Sequence, residues 1–270
     1  MAKLDKKIIG LVTDFGAKGQ YYVASMKGVI LKINPRVKII DISHNITPFS
    51  IIEAAYVTKT IYKYYPKGTI LIIIVDPGVG SSRAILGIET IDEYYFIGPN
   101  NGVFLNIFPV TQISKCIDIT NIDYFNNPVS NTFHGRDIMA PVGAYIANGV
   151  DLSNFGKKFD LNKIVQYPIE YKRISDKEIR CTIQFIDNFG NITTNIKASS
   201  IPLIEGAKLK IKLKNKTEVS GKFVNFFEEG TVNAFLFLVG SSGYIEISKN
   251  QGNAAFDLNL RVGDVITIVL

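Results

Sequence analysis

Two cysteines and two histidines in 270 residues are too few to build a Cys/His metal cluster, and Cys116 and Cys181 stand far apart. Long apolar runs are missing too, so no stretch approaches the length of a membrane span. The opening Met-Ala-Lys-Leu-Asp-Lys-Lys-Ile-Ile-Gly has charges but neither a long apolar region nor a small-residue cleavage site. No signal peptide is read there, and a cytoplasmic protein with no membrane partner is expected. No GxGxxG fingerprint follows the first predicted strand, which disfavours a nicotinamide or flavin cofactor. Gly78-Val-Gly-Ser-Ser82 could cradle a phosphate, but it lacks a Walker lysine and leads into a strand rather than a helix. Asp14-Phe-Gly16 matches the kinase magnesium motif only superficially, since no HRD-type loop accompanies it. Internal repeats and low-complexity tracts are absent.

What is present suits a folded protein with a substantial core: 47% hydrophobic and 20% charged residues. The length allows one large domain or two ordinary ones. The net charge of +6 raises nucleic acid as a partner, but the lysines are scattered. The densest cluster, Lys208 to Lys216, alternates with apolar residues as the solvated face of a strand does. Aromatics interleaved with basic residues on one sheet face are not evident, so no nucleic-acid partner is expected.

Thr69 to Val75 is an unbroken, β-branched apolar run that predicts a central strand buried on both faces. Pro77 and two glycines then forbid continued pairing, so Asp76 leaves the strand's carboxyl end and Arg83 returns seven residues later, before the next strand at Ala84. In open α/β sheets that edge is where ligands bind, although a capped turn with a solvated arginine fits the stretch equally well. Lys7 to Val12 predicts the first strand, ending at a second carboxylate, Asp14. Helical spacing runs from Gly19 to Ile33 and from Ser50 to Tyr65, the latter with a Ser50/Glu53 capping box. Further strands are expected over 37–42 and 94–97, and a helix over 138–147. Strands alternating with helices predict an α/β domain, residues 1–165, with a mostly parallel sheet. Residues 160–176 read as a polar linker. Beyond it, short β-like runs without a convincing helix predict a small antiparallel β-barrel domain over 177–270.

Taken singly, the polar clusters at loop edges are weak signals. Asp187-Asn188 is more often a turn signal than a ligand contact, and His134 could simply cap or pack. Their order is more specific. Thr13-Asp-Phe-Gly16, Asp41-Ile-Ser-His44, Asp76-Pro-Gly-Val-Gly-Ser-Ser-Arg83, Gly98-Pro-Asn-Asn-Gly102, Thr132-Phe-His-Gly-Arg-Asp137 and Asp187-Asn-Phe-Gly-Asn191 together closely resemble the S-adenosylmethionine hydroxide adenosyltransferases, relatives of the fluorinases and chlorinases. The resemblance runs from Ile8 to the last strand.

The resemblance implies a metal-independent, adenosine-forming hydrolase that converts S-adenosyl-L-methionine and water into adenosine and methionine. The sulfonium compound is then the substrate, with no cofactor. The implied fold is an α/β domain followed by a β-barrel, assembled as a homotrimer with sites at subunit interfaces. The family's catalytic Asp, Arg and His fall on Asp76, Arg83 and His134. Asp14 is implied to hold the ribose hydroxyls, and Asp187 and Asn191 the methionine ammonium and carboxylate. Ser241, Glu246 and the backbone near Asn250 are implied to line the adenine and amino-acid side. Fluorinases carry an aromatic residue and a small halide pocket near the first and third catalytic positions, which argues against a halide-dependent 5′-halo-5′-deoxyadenosine synthase. The aromatic they place after the Asp187 motif is Thr193 here. A non-catalytic S-adenosylmethionine or adenosine sensor is the other alternative, disfavoured because binding alone needs no water-activating set.

Overall fold

The computed structural model describes residues 7–214 and 217–270, so the reading of the first six residues and the last lysine of the 208–216 cluster lie outside the described residues. The chain divides into two compact units meeting at Tyr167 and Pro168.

The first unit contains β1 (Ile8–Thr13), α1 (Gln20–Ile33), β2 (Lys38–Ser43), α2 (Ile51–Ile61), β3 (Ile70–Ile74), β4 (Ile85–Thr90), β5 (Tyr95–Pro99), α3 (Val103–Ile107), β6 (Ile113–Ile119), α4 (Ala140–Ala147) and β7 (Gly156–Lys158). Its seven strands lie in the order β2-β1-β3-β5-β4-β6-β7. β1 runs parallel to β2 and β3, and β3 parallel to β5. β4 runs antiparallel to both its neighbours, as β7 does to β6. Five strands therefore share one direction, and the expected mostly parallel sheet is observed.

The uninterrupted apolar run of β3 is explained by its two faces. Ile70, Ile72 and Ile74 join the core under α1 and α4, with Met26, Ile30, Val142 and Ala144. Leu71, Ile73 and Val75 join the core on the other face under α2 and α3, with Ala54, Ala55, Val103 and Phe104. Each such side chain contributes about 1.5–3 kcal/mol by leaving water, so the strand that carries Asp76 is firmly fixed. α2 begins as its capping-box spacing predicts, with Glu53 N–H donating to Ser50 Oγ at 3.3 Å. The reciprocal half differs: the Glu53 carboxylate accepts from Thr47 N at 3.2 Å. The helix expected over 138–147 opens with a wide π-type turn at Gly135–Met139. β6 and α3 were not predicted, because a short mixed run between turn signals has no decisive period.

The second unit contains β8 (Tyr171–Arg173), β9 (Glu178–Ile186), β10 (Ile192–Lys197), β11 (Lys208–Lys212), β12 (Glu218–Phe223), β13 (Phe235–Val239), β14 (Tyr244–Lys249), α5 (Ala254–Leu258) and β15 (Val265–Val269). β9 takes β8 and β10 in succession along its length and β15 beside it, so seven strands close into a barrel in the order β10-β14-β13-β12-β11-β15-β9. All pairs are antiparallel except β12 with β13. Leu209 and Ile211 of β11 point into the barrel core while Lys208 and Lys210 face solvent, as the alternation predicts. Two details differ from the sequence reading. The stretch 160–176 is not a bare linker, since β8 within it pairs with β9. A five-residue helix, α5, packs Ala254, Ala255 and Leu258 onto the core between β14 and β15; one and a half turns are too short to show a helical period.

Candidate functional site

The carboxyl ends of β1 and β3 lie side by side, with Thr13 level with Ile74. Asp14 and Asp76 therefore emerge at one edge of the sheet. Together with His134, Phe15, Tyr22, Pro48, Phe49, Thr132, Phe133 and Arg136, they line a cavity of about 480 Å³.

Arg83 does not line the cavity but stands behind it. Its Nε donates to Asp76 Oδ1 at 2.6 Å and its Nη2 to Asp76 Oδ2, a bidentate fork. The same Nη2 reaches His134 Nδ1 at 3.3 Å. The two charged side chains are 5% and 10% exposed, so the pair is screened from water and tightly held. The turn between them is folded by Val79 N–H to Asp76 O at 3.3 Å and Ser81 N–H to Gly78 O at 3.1 Å. Gly80, at φ +80°, packs so closely on the 130–132 loop that a Cβ would lie 2.4 Å from Asn131 O. That close approach brings the loop carrying His134 to Arg83. A Cβ on Gly135 would likewise collide with Ile74 Cδ1 at 2.8 Å, so the loop after His134 lies directly on the end of β3. From the other side, Asn101 Nδ2 donates to Val75 O at 2.8 Å and ties the Gly98–Gly102 turn to the residue before Asp76.

A guanidinium can only donate, so His134 Nδ1 faces Arg83 with its lone pair and the imidazole proton sits on Nε2. Burial, followed by the Arg83 charge, pushes the His134 pKa below its ordinary value against the weaker pull of Asp76 and Asp137. The ring is thus neutral at neutral pH. Asp14 is raised above its usual range, chiefly by burial, although Phe49 N–H donates to its Oδ2 at 2.8 Å. Phe49 holds a left-handed φ of +67°, a conformation that costs a non-glycine residue energy and here aims its N–H at the carboxylate.

The loop before α4 is organised by Asp137, which is fully buried. It accepts from Asn126 Nδ2 at 2.9 Å, Ser130 N at 2.9 Å and both Arg136 Nε and Nη2, at 2.7 and 2.8 Å. Burial alone would raise its pKa; the Arg136, Asn126 and Ser130 bonds outweigh that and hold the carboxyl below its usual range. Arg136 also stacks over the Phe133 ring at 5.2 Å, in an aromatic cluster with Phe15 and Tyr22.

In the second unit, Asp187 and Asn191 form one closed turn. Asp187 Oδ1 accepts from Phe189 N and Asn191 N, each at 2.9 Å, and Oδ2 from Asn191 Nδ2 at 2.8 Å. Glu246 lies on β14 opposite Thr193 of β10. Burial, with the nearby Asp187 charge, raises its pKa against a bond from Ser248 Oγ at 3.1 Å. Gly240 sits against the Glu246 carboxylate, so exposed Ser241 belongs to the neighbouring turn. Asn250 stands apart, its Nδ2 donating to Gly230 O at 2.8 Å.

Asp14, Asp76, Arg83 and His134 thus converge in the first unit, while Asp187, Asn191 and Glu246 neighbour one another in the second and Ser241 stays in the exposed β13–β14 turn. Tyr22, Phe49, Phe133 and Arg136 were not assigned from sequence. Phe49, 69% exposed between Pro48 and the α2 cap, carried the available signal: a large aromatic with no core to fill. Among the described residues, no group of three or more His, Cys, Asp or Glu could hold a metal ion, and no helix is long and apolar enough to cross a membrane.

The sequence model of the SAM hydroxide adenosyltransferase N-terminal domain matches residues 9–156, and that of the C-terminal domain residues 181–267. A Methanocaldococcus jannaschii protein named (R)-S-adenosyl-L-methionine hydrolase is 40% identical over 97% of this chain and 95% of its own length. A fluorinase of Actinoplanes sp. is 24% identical over 97% of each chain. The crystal structure of an uncharacterized conserved protein from Thermotoga maritima superposes with a TM-score of 0.89 at 30% identity, covering 97% of this chain and all of that one. With both domain models matched in order along the chain, the protein belongs to the SAM hydroxide adenosyltransferase family.

Proposed function

We propose that this protein hydrolyses S-adenosyl-L-methionine to adenosine and L-methionine, by attack of water at C5′. The observation that carries the reading is the Asp76–Arg83–His134 set: a buried ion pair whose guanidinium abuts a neutral imidazole at the edge of a cavity. Binding alone needs no water-activating set of this kind. Relatives named (R)-S-adenosyl-L-methionine hydrolase specify the (R) sulfonium, and the same epimer is proposed here.

A sulfonium leaves readily and needs no proton, so the difficulty lies in making water nucleophilic. Asp76 holds the water in line with C5′, and positioning of this kind removes much of the entropic barrier. As the O–C5′ bond forms, the C5′–S bond breaks and its electron pair leaves with the methionine sulfur. The water proton passes to His134 Nδ1, the imidazole nitrogen that carries no proton, as its lone pair is released by Arg83. Arg83 Nη2 turns from that nitrogen to the developing hydroxide, exchanging one acceptor for a more negative one. General-base catalysis of this type is typically worth about 10²–10⁴-fold.

Asp14 is proposed to accept from the ribose hydroxyls, with the aromatic wall of Phe15, Tyr22 and Phe49 around it. Asp187, Asn191, Ser241, Glu246 and Asn250 remain the proposed contacts to methionine and adenine, and a homotrimer the proposed assembly. The alternative of 5′-halo-5′-deoxyadenosine synthesis draws on the fluorinase relatives, but a carboxylate at Asp76 is a poor neighbour for a halide. Incubation with S-adenosyl-L-methionine and chromatography for adenosine tests the reading. S-adenosylhomocysteine or methylthioadenosine as the main product would refute it.

A further inference from the structure

The Asp41-Ile-Ser-His44 segment takes no part in the proposed chemistry, yet it builds a polar chain that runs from the surface to buried His44 and Thr13 and ends beside Asp14. His44 is buried, and its Nδ1 lies 3.0 Å from the hydroxyl of fully buried Thr13. Its Nε2 lies 3.0 Å from Asp41 Oδ1, close but off the line of a well-directed hydrogen bond. Asp41 Oδ2 in turn accepts from Lys27 Nζ of α1 at 2.5 Å. With a carboxylate at Nε2, the proton belongs on Nε2 and Nδ1 accepts from Thr13. The Thr13 oxygen is then free to accept from Phe15 N, at 3.4 Å.

The main chain repeats the grip. Gly16 N–H donates to His44 O at 2.7 Å and Ile46 N–H to Thr13 O at 3.4 Å. Five residues after His44, the same loop supplies the Phe49 N–H that binds Asp14 Oδ2. Asp14 is therefore framed on both sides by the loop following β2, and the orientation of that loop is set by His44.

We propose that Asp41, His44 and Thr13 form a positioning relay for Asp14, fixing its carboxylate for the two ribose hydroxyls of the substrate. The arrangement has the outline of a Ser/His/Asp triad, but Thr13 has no exposure and cannot reach a substrate. Its hydroxyl serves to fix the turn. This inference rests on the reading of Asp14 as the ribose ligand.

The test exploits the accessible end of the relay, where substitution spares the core: Asp41 and Lys27 are both part-exposed. Calorimetry would compare adenosine with 2′,3′-dideoxyadenosine, which lacks both hydroxyls. Wild-type protein is expected to prefer adenosine. Asp41→Asn should weaken adenosine binding about fivefold, the worth of one strained hydrogen bond, and leave the dideoxy analogue unchanged. It should also raise KM with kcat preserved, and have no further effect in an Asp14→Ala background. His44→Ala should act in the same direction and more strongly. Equal losses for both nucleosides, or none, in Asp41→Asn and Lys27→Met variants with wild-type melting temperatures would overturn the relay. Absence of any preference in the wild type would overturn the ribose role of Asp14 and the relay with it. Failure of the wild type to release adenosine from S-adenosyl-L-methionine while retaining the preference would refute the hydrolase reading alone.

Discussion

Arg83 Nη2 stands 3.3 Å from His134 Nδ1 while the same guanidinium grips Asp76, so one cation orients both the base and the carboxylate. The planar fork makes this possible. Lysine keeps the charge but presents no paired donors. Arg83→Lys is therefore expected to lose nearly as much kcat as Arg83→Ala, about 10²-fold or more, with little change in KM. Asp14→Ala should do the opposite, weakening substrate binding by about 1–3 kcal/mol by leaving the ribose hydroxyls without a charged acceptor. Steady-state kinetics on the three variants checks the division; an Arg83→Ala enzyme with normal kcat and a large rise in KM would reverse it.

The protonation state of His134 gives the pH dependence its sign. Burial and Arg83 lower its pKa below 6.5, so the ring stays neutral as the pH drops past the ordinary imidazole range. kcat should hold to a pH below 6.5 and fall only as the depressed pKa is crossed. Asp14, raised above 3.8 by burial, must be ionised to accept from ribose, so kcat/KM should lose further ground in acid as Asp14 takes up its proton. With only two histidines in the chain, NMR titration of the ring protons can follow His134 directly. Arg83→Met should move its pKa upward, since the neighbouring positive charge is gone.

Asp137 is expected to act on stability as well as on activity. Asp137→Ala leaves Ser130 N–H, Asn126 Nδ2 and the Arg136 guanidinium without their acceptor, at a cost of about 3 kcal/mol. Because its folded pKa is lowered, the stabilisation is fully present above the unfolded value and is lost as the pH falls through the folded one. Denaturant melts at pH 7 and in strong acid should therefore differ between the parent and Asp137→Ala at neutral pH and converge in acid.

Much of this architecture was legible from residue order. β3 announced itself because burial on both faces permits an unbroken apolar run, and the Pro77–Gly80 turn marked where Asp76 leaves it. The barrel was readable as alternation, as in β11. β6, β7, β8 and β10 were not predicted: β7 and β8 have only three residues each, and β6 and β10 mix polar with apolar residues without a clean alternation. The cavity's aromatic wall was hidden for a related reason: Tyr22 and Phe49 are brought together with Phe133 only by the β1 and β2 loops. The role of Asp41-Ile-Ser-His44 was equally invisible, because spacing records the motif but not that His44 reaches Thr13, thirty-one residues earlier.

Attack of water at C5′ is the central claim, and isotope tracing tests it most directly. The protein would be incubated with S-adenosyl-L-methionine in ¹⁸O-water with chelator present, and the products analysed by mass spectrometry. One ¹⁸O atom is expected in the 5′-hydroxyl of adenosine and none in methionine, at a rate the chelator leaves unchanged. Unlabelled adenosine, or a nucleoside product other than adenosine, would contradict it.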